Sequence, residues 1–508
     1  PAGHQDLRLR IRLRHFVVKP FLFLALTLAI MSLGGLEPTL AAEEQSSTGK
    51  VGKKGAKPKD SDLAKKLRGL LKDRLSKFPD KAKLQIAVRD LESGELLFQT
   101  KSKESLNLAS VTKMVTAGAV LHYLGPDFSY QTKLFALGRS GESAESIVLE
   151  TGGDPMITEA DLAALALAVR RQGIRKTKRV EIALGATGPA RFPPEFETKK
   201  TDASYRAPVG DFNLNQNRIL IHIKPSDILG KAPRVSLTPS AAGIKVVNRA
   251  KTKAGKADRI GVKVDWAKDG LPTLTISGSI GAKRRSGVTG VRLNQHPERW
   301  AAETFRTLLK RSGVKVPSST KFIKGVPKNA HRISKYESAP LSEIVRHTLQ
   351  HSDNQAAEAL LLKLGERLGG DVNHGIKKVQ EWLKALGINK DELTIRNGSG
   401  LYGASAGSAA AVTMMLVKIH QNSAISPDFL AGLAVPGRPG TMSQRLKHLP
   451  RGSIRAKTGT LNEVSTLCGY ALSKKRKTAF CVIANDIRKG NLGAARELQD
   501  RVAEALTR

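Results

Sequence analysis

The chain has 508 residues, 40% of them hydrophobic, so it is too long for one ordinary domain and apolar enough to bury two or three cores. Its 84 Lys and Arg against 45 Asp and Glu give a formal charge of +39, which points to polyanionic neighbours: nucleic acid, anionic lipid or anionic envelope polymers. Two cysteines exclude a disulfide framework, and aromatics at 5% give little material for stacking on bases.

Arg8, Arg10, Arg12, Arg14 and Lys19 precede an uncharged apolar run, Phe21 to Leu36, followed by the small residues of Thr39-Leu40-Ala41-Ala42. That is the layout of a secretory signal peptide. The run is shorter than the ~20 residues a membrane-spanning helix needs, so residues 1–41 are expected to be removed on export to the periplasm or cell envelope. Residues 42–61 then read as a basic linker rich in Lys, Gly and Ser. Leu63, Leu67, Leu70, Leu71, Leu75 and Phe78 fall at three- and four-residue steps, the mark of an amphipathic helix.

Leu84, Ile86 and Val88 alternate with polar residues, and Leu96 to Phe98 follow the turn Glu92-Ser93-Gly94-Glu95, which predicts a hairpin. It leads into Ala109-Ser110-Val111-Thr112-Lys113 and an apolar run from Met114 to Leu124. A helix of that composition is buried, and Ser110 and Lys113 share a face of its first turn. Desolvation lowers a lysine pKa, so a neutral amine could take the hydroxyl proton and make the serine nucleophilic without histidine. The spacing alone is weak, since Ser47/Lys50 and Ser318/Lys321 share it in polar surroundings.

From 128 to 293 short strands and turns dominate, with one clear helix at Glu159 to Gln172. Ile260 to Asp265 and Thr273 to Ser277 flank Lys268-Asp269-Gly270 and suit a hairpin. This stretch reads as one or more mainly-β domains inserted into a catalytic body made of 62–127 and 294–508. Helices are expected at Glu298 to Arg311, Leu341 to Gln350, Ala356 to Leu368, Asn373 to Leu386 and Ser408 to His420. Strands follow at Ile454 to Thr460, Thr466 to Leu472 and Thr478 to Ala484, with a last helix at Ala494 to Leu506. Strands from both ends of the chain would make one antiparallel sheet. A hairpin turning at Lys474-Lys475 sets Cys468 opposite Cys481, either as two buried thiols or as a cross-strand bridge.

Ser352-Asp353-Asn354 and Lys457-Thr458-Gly459 each occur once, 242 residues beyond Ser110 and 103 residues beyond Asn354. Singly, the first could be a helix N-cap and the second a strand end. In this order and at these gaps, the trio resembles the low-molecular-mass class C penicillin-binding proteins, the D-Ala-D-Ala carboxypeptidase/endopeptidase family. Gly152-Gly153-Asp154-Pro155, Phe212 to Asn217 and Gly398-Ser399-Gly400-Leu401 agree with that pattern.

The resemblance implies the transpeptidase-like α/β fold of that family and of β-lactamases: an antiparallel sheet flanked by helices, with an α-helical subdomain. It also implies a serine-type DD-peptidase acting on peptidoglycan stem peptides, with β-lactams as covalent inhibitors and no cofactor. Ser110 would attack, Lys113 accept its proton, Ser352 relay a proton to the leaving amine, and Asn354 hold Lys113 and the substrate amide. Lys457 and Thr458 would bind the terminal carboxylate, Gly459 would let the strand approach substrate, and backbone N–H groups of Ser110 and Thr460 would form the oxyanion hole.

Where the family usually reads Asp-Gly-Ser-Gly-Leu-Ser-Arg, this chain has Asn397-Gly398-Ser399-Gly400-Leu401-Tyr402-Gly403, without the carboxylate and the guanidinium. That departure keeps a wall-binding protein without catalysis as the alternative. His347 and His351, four residues apart, lack a third ligand, so no metal site is expected. No nucleic-acid motif is present.

Overall fold

The protein is described here from a computed structural model, which defines residues 62–75, 77–79, 81–100, 104–198, 205–206, 208–239, 243–267, 271–292, 295–403 and 405–507. The expected signal segment and basic linker, the Ser47/Lys50 pair and the turn Lys268-Asp269-Gly270 lie outside the described residues. No helix among the described residues is long and apolar enough to cross a membrane.

A five-stranded antiparallel sheet carries the body, in the order Ile454–Leu461, Val464–Leu472, Lys477–Asn485, Lys83–Asp90, Leu96–Gln99. Its strands come from both ends of the chain, as expected from the order of the elements. Successive side chains point to opposite faces. Ile86, Val88 and Val482 join an apolar cluster with Leu67 of the helix Asp62–Leu75 and Leu498 and Val502 of the helix Leu492–Thr507. Ala87, Cys481 and Ile483 face the other way, against Val412 and Leu416 of the helix Ala409–Gln421. Cys468 and Cys481 stand directly opposite across the hairpin and form a disulfide.

Helix Thr112–Leu124 is apolar on all sides because all sides are covered: residues 112–121 are buried. Helices Leu341–His351, Asn354–Arg367 and Val372–Ala385 surround it in a helical subdomain. Gly118 is required there, since a Cβ would come within 2.6 Å of the Trp382 ring.

The inserted region extends further than expected. Its first sheet has the order Lys321–Lys324, Lys176–Leu184, Ser143–Glu150, Gln131–Leu137, His331–Glu337, the first three strands being parallel. Helices Glu159–Arg171 and Pro297–Arg311 pack together in this part, Trp300, Phe305 and Leu309 sharing one core with Leu162 and Val169. The expected division at 293/294 is therefore corrected. An amphipathic helix declares that it has a partner but not which one, and Pro297–Arg311 takes its partner from the insertion. Entry and exit are tied at Tyr130 and Ser338, where Tyr130 N donates to Ser338 Oγ at 2.9 Å and Ser338 N to Tyr130 O at 3.0 Å.

The remainder of the insertion is β-structure. Gly287–Arg292, Arg218–Lys224 and Arg234–Thr238 form one sheet. The expected hairpin, Asp258–Trp266 with Pro272–Gly281, lies in another.

Candidate active site

The three motifs meet at the start of the buried helix. Lys113 Nζ lies 3.0 Å from Ser110 Oγ, 2.7 Å from Asn354 Oδ1 and 2.9 Å from Ser399 O. Lys457 Nζ donates to Ser352 Oγ at 2.9 Å and to Thr458 O at 2.8 Å. Two Ser–Lys pairs thus stand side by side, joined through the loop that carries Ser352 and Asn354.

A single turn of 3-10 helix, Ala109–Val111, presents Ser110. Ala109 sits at φ 47°, a left-handed conformation costly for alanine. Gly400, at φ 73°, and Gly459 clamp it from two sides. A Cβ on Gly400 would fall 2.0 Å from Ala109 O. One on Gly459 would fall 2.1 Å from Thr466 Oγ1, 2.9 Å from Leu108 O and 3.1 Å from Ala109 Cβ. The missing side chain of Gly459 therefore admits the Ser110 turn and the Thr466 side chain. Gly459→Ala is expected to cost about 1–3 kcal/mol by overpacking, read as a lowered thermal midpoint; an unchanged midpoint would show that the turn has slack.

Lys113 is fully buried, and burial pulls its pKa down to about 7 against the opposing charges of Glu358 and Asp353. A neutral amine has two N–H donors and one lone pair. Asn354 Oδ1 and Ser399 O take the two donors, which leaves the lone pair for the Ser110 hydroxyl. Burial, with the Lys113 charge second, also holds Lys457 well below the ordinary lysine range.

Glu358, one turn beyond Asn354, escaped the sequence reading. It is fully buried, and its two oxygens accept from Gly398 N and Ser399 N at 2.8 Å each. It thereby fixes the turn whose carbonyl receives Lys113. Burial raises its pKa, opposed by those N–H groups and by Lys113. A Glu four residues after Asn354 on an apolar helix was the available signal, since an acid on a buried face needs a partner.

Ser352-Asp353-Asn354 includes the helix N-cap considered above. Asp353 is an N-cap, accepting from Ala356 N at 3.1 Å, while Ser352, at φ 57°, and Asn354 face Lys457 and Lys113. Thr458 and Thr460 lie on the outer strand Ile454–Leu461. Ala434 bonds both backbone groups of Ala456 on that strand's free side, at 3.0 Å each. Among the described residues no strand covers the same side from Lys457 onward.

The insertion reaches the site, which no local signal announced. Asn354 Nδ2 donates to Tyr205 O at 2.9 Å, and the Phe196 ring meets Tyr402 edge-on at 5.5 Å. Asn397 Nδ2 donates to Leu401 O at 3.2 Å and to Pro194 O at 3.3 Å, two donations the family's carboxylate could not make. The Gly403 position holds no guanidinium, but Arg206 lies buried nearby, donating to Phe196 O at 2.8 Å.

Asp154 caps Met156 N at 2.8 Å and accepts from Tyr336 Oη at 3.2 Å, with its pKa pushed up by burial to about 6. Asn213 and Asn217 make buried amide hydrogen bonds to Gly153 O, Gly210 O and Pro208 O. Both stretches are turns held by buried hydrogen bonds. Lys321 is exposed on an edge strand of the insertion, away from such a buried pairing. His347 approaches Asp353 Oδ2 at 3.5 Å.

Residues 67–507 match the D-Ala-D-Ala carboxypeptidase 3 (S13) family. The chain is 29% identical over 452 residues to a D-alanyl-D-alanine carboxypeptidase of Actinomadura sp. (strain R39), spanning 83% of this chain and 80% of that protein. It is 20% identical over 434 residues to the D-alanyl-D-alanine carboxypeptidase DacB of Haemophilus influenzae, spanning 83% of this chain and 89% of that protein. The crystal structure of penicillin binding protein 4 from Haemophilus influenzae has the same fold, with a TM-score of 0.71 at 18% identity over 87% of this chain and 98% of that one.

Proposed function

Because the chain belongs to the D-Ala-D-Ala carboxypeptidase 3 (S13) family, we propose that its serine DD-peptidase activity runs through Ser110 as nucleophile and Lys113 as the base that activates it. The enzyme is a low-molecular-mass class C penicillin-binding protein, a serine-type DD-peptidase acting on peptidoglycan stem peptides. The observation that carries the residue assignment is a fully buried amine 3.0 Å from a serine hydroxyl, with its pKa lowered by burial to about 7.

The stem peptide adds itself along the open side of the outer strand, as an extra strand beside Lys457 to Thr460. Lys113 takes the Ser110 proton as Oγ attacks the penultimate carbonyl. The Ser110 and Thr460 N–H groups hold the developing oxyanion, each worth about 3 kcal/mol in the transition state. Ser352, kept in place by Lys457, relays to the leaving amine the proton that Lys113 took from Ser110, and the C–N bond breaks. Asn354 fixes Lys113 and the substrate amide, and Thr458 and Lys457 face the terminal carboxylate. Water then attacks the ester and frees Ser110.

The wall-binding alternative requires a disarmed nucleophile, and the spacing of Ser110, Lys113 and Asn354 gives it no support. Export after loss of residues 1–41, and attraction of the still strongly basic remainder to anionic polymers of the envelope, complete the proposal.

Incubation with benzylpenicillin is expected to add one equivalent of mass, and proteolytic mapping to place it on the peptide containing Ser110. A folded protein that takes up no mass, or takes it elsewhere, would sink the assignment.

A further inference from the structure

The β-structure of the insertion ends in a tip that sets apolar side chains among basic ones. Ile228 and Leu229 stand 62% and 58% exposed in the loop between the strands Arg218–Lys224 and Arg234–Thr238. Aliphatic side chains exposed singly are ordinary on a protein surface and need no explanation. Two large ones in succession at a loop crest, each mostly in water, serve neither of the strands they join.

The loop is fixed by backbone hydrogen bonds. Ser226 N donates to Thr252 Oγ1 at 3.0 Å, Gly230 N to Thr252 O at 2.8 Å, and Thr252 N to Lys231 O at 2.8 Å. The short strand Lys251–Lys253 thus borders the loop, and it pairs in turn with Ser279–Gly281. The next turn is tied to the same place, since Ala282 N donates to Lys253 O at 2.7 Å and Lys283 N to Gly255 O at 2.9 Å. Residues 225–233, 251–258 and 281–286 therefore make one end of the insertion. Lys231, Lys251, Lys253, Lys256, Lys283 and Arg285 are exposed on it. Asp227 and Asp258 are the only carboxylates of those segments, and Asp258 is paired with Arg284 at 3.2 Å.

We propose that this tip docks on an anionic lipid bilayer, with Ile228 and Leu229 entering the interface and the surrounding cations lying at the headgroups. Positive charge alone would suit any polyanion. The aliphatic pair decides for lipid, because a soluble polyanion leaves it in water whereas a bilayer takes it out. A loop held by its backbone also meets the surface with its conformation already set, so little ordering is spent on contact. The inference is independent of the assignment of Ser110, since it concerns where the insertion rests and not the reaction.

The test reads the tip itself in the full chain. Cys468 and Cys481 are joined in a buried disulfide, so Ala232→Cys, at an exposed position beside the aliphatic pair, offers one thiol for a polarity-sensitive fluorophore. Vesicles of phosphatidylglycerol in phosphatidylcholine are expected to shift its emission to the blue, and a quencher carried in the bilayer to quench it. Vesicles of phosphatidylcholine alone should need at least tenfold more lipid for the same shift. Ile228→Ser with Leu229→Ser should raise the lipid required at least tenfold, and Lys251→Gln with Lys253→Gln about tenfold, with benzylpenicillin labelling at the parental rate showing that each variant is folded. A label that stays in water overturns the proposal, even where the chain sediments with the vesicles, because another part of the chain then makes the contact. So does a lipid requirement that Ile228→Ser with Leu229→Ser leaves unchanged, or an equal blue shift with soluble polyphosphate, either of which makes the tip a basic patch for polymers.

Discussion

Lys113→Met is expected to acylate with benzylpenicillin about a thousandfold or more slowly than the parent, the range for loss of a positioned general base. Methionine fills much the same volume, so the core of the helix survives. What disappears is the lone pair 3.0 Å from Ser110 Oγ. Asn354 Oδ1 and Ser399 O also lose their donor, at about 1–3 kcal/mol for each unsatisfied group, so the thermal midpoint falls but stays measurable. The pH profile of the parent carries the sign. Lys113 is depressed to about 7, so the amine is protonated and inert below that pH and neutral above it. Acylation should rise through pH of about 7 and then level. The variant should have no such limb. A parent rate flat from acid to alkaline pH, or a variant within tenfold of the parent, would remove Lys113 from the role of base.

Local patterns carried much of the body. Period-two alternation marked the strands of the sheet, and the apolar run 114–124 marked a buried helix because no polar face interrupts it. The pairing of Cys468 with Cys481 followed from the centre of a short turn, which fixes the register of the whole hairpin. The motif spacing brought Ser110, Ser352 and Lys457 to one site before any geometry was known.

Long-range choices were hidden. Nothing in Pro297–Arg311 says that its apolar face turns toward Glu159–Arg171 and not toward the body. What Gly459 packs against is another such case, because the strand side it leaves bare is not visible in a linear sequence. It faces Leu108 and Ala109, some 350 residues earlier in the chain. The approach of Phe196 to Tyr402 is of the same kind.

Glu358 makes the sharpest case of such concealment and the second large effect. In Glu358→Gln one side-chain oxygen becomes an NH2 group facing the N–H of Gly398 or Ser399, two donors with no acceptor between them. A buried N–H left in that state costs about 1–3 kcal/mol. The turn can relieve it only by moving, and with it moves the Ser399 carbonyl that holds Lys113 at 2.9 Å. The plateau rate of acylation should fall about ten- to a hundredfold, since a small misplacement of a catalytic group is costly. A purely structural residue could do as much, so the pH limb decides. The Glu358 charge raises the Lys113 pKa against the lowering by burial. Removing it frees Lys113 from its proton earlier, and the half-rise of the acylation profile must move below pH of about 7. A lower plateau with the limb at its parental position would leave Glu358 as a prop for the turn. A lower plateau with the limb shifted to more acid pH makes it the carboxylate that sets both where the base sits and when it is free to act.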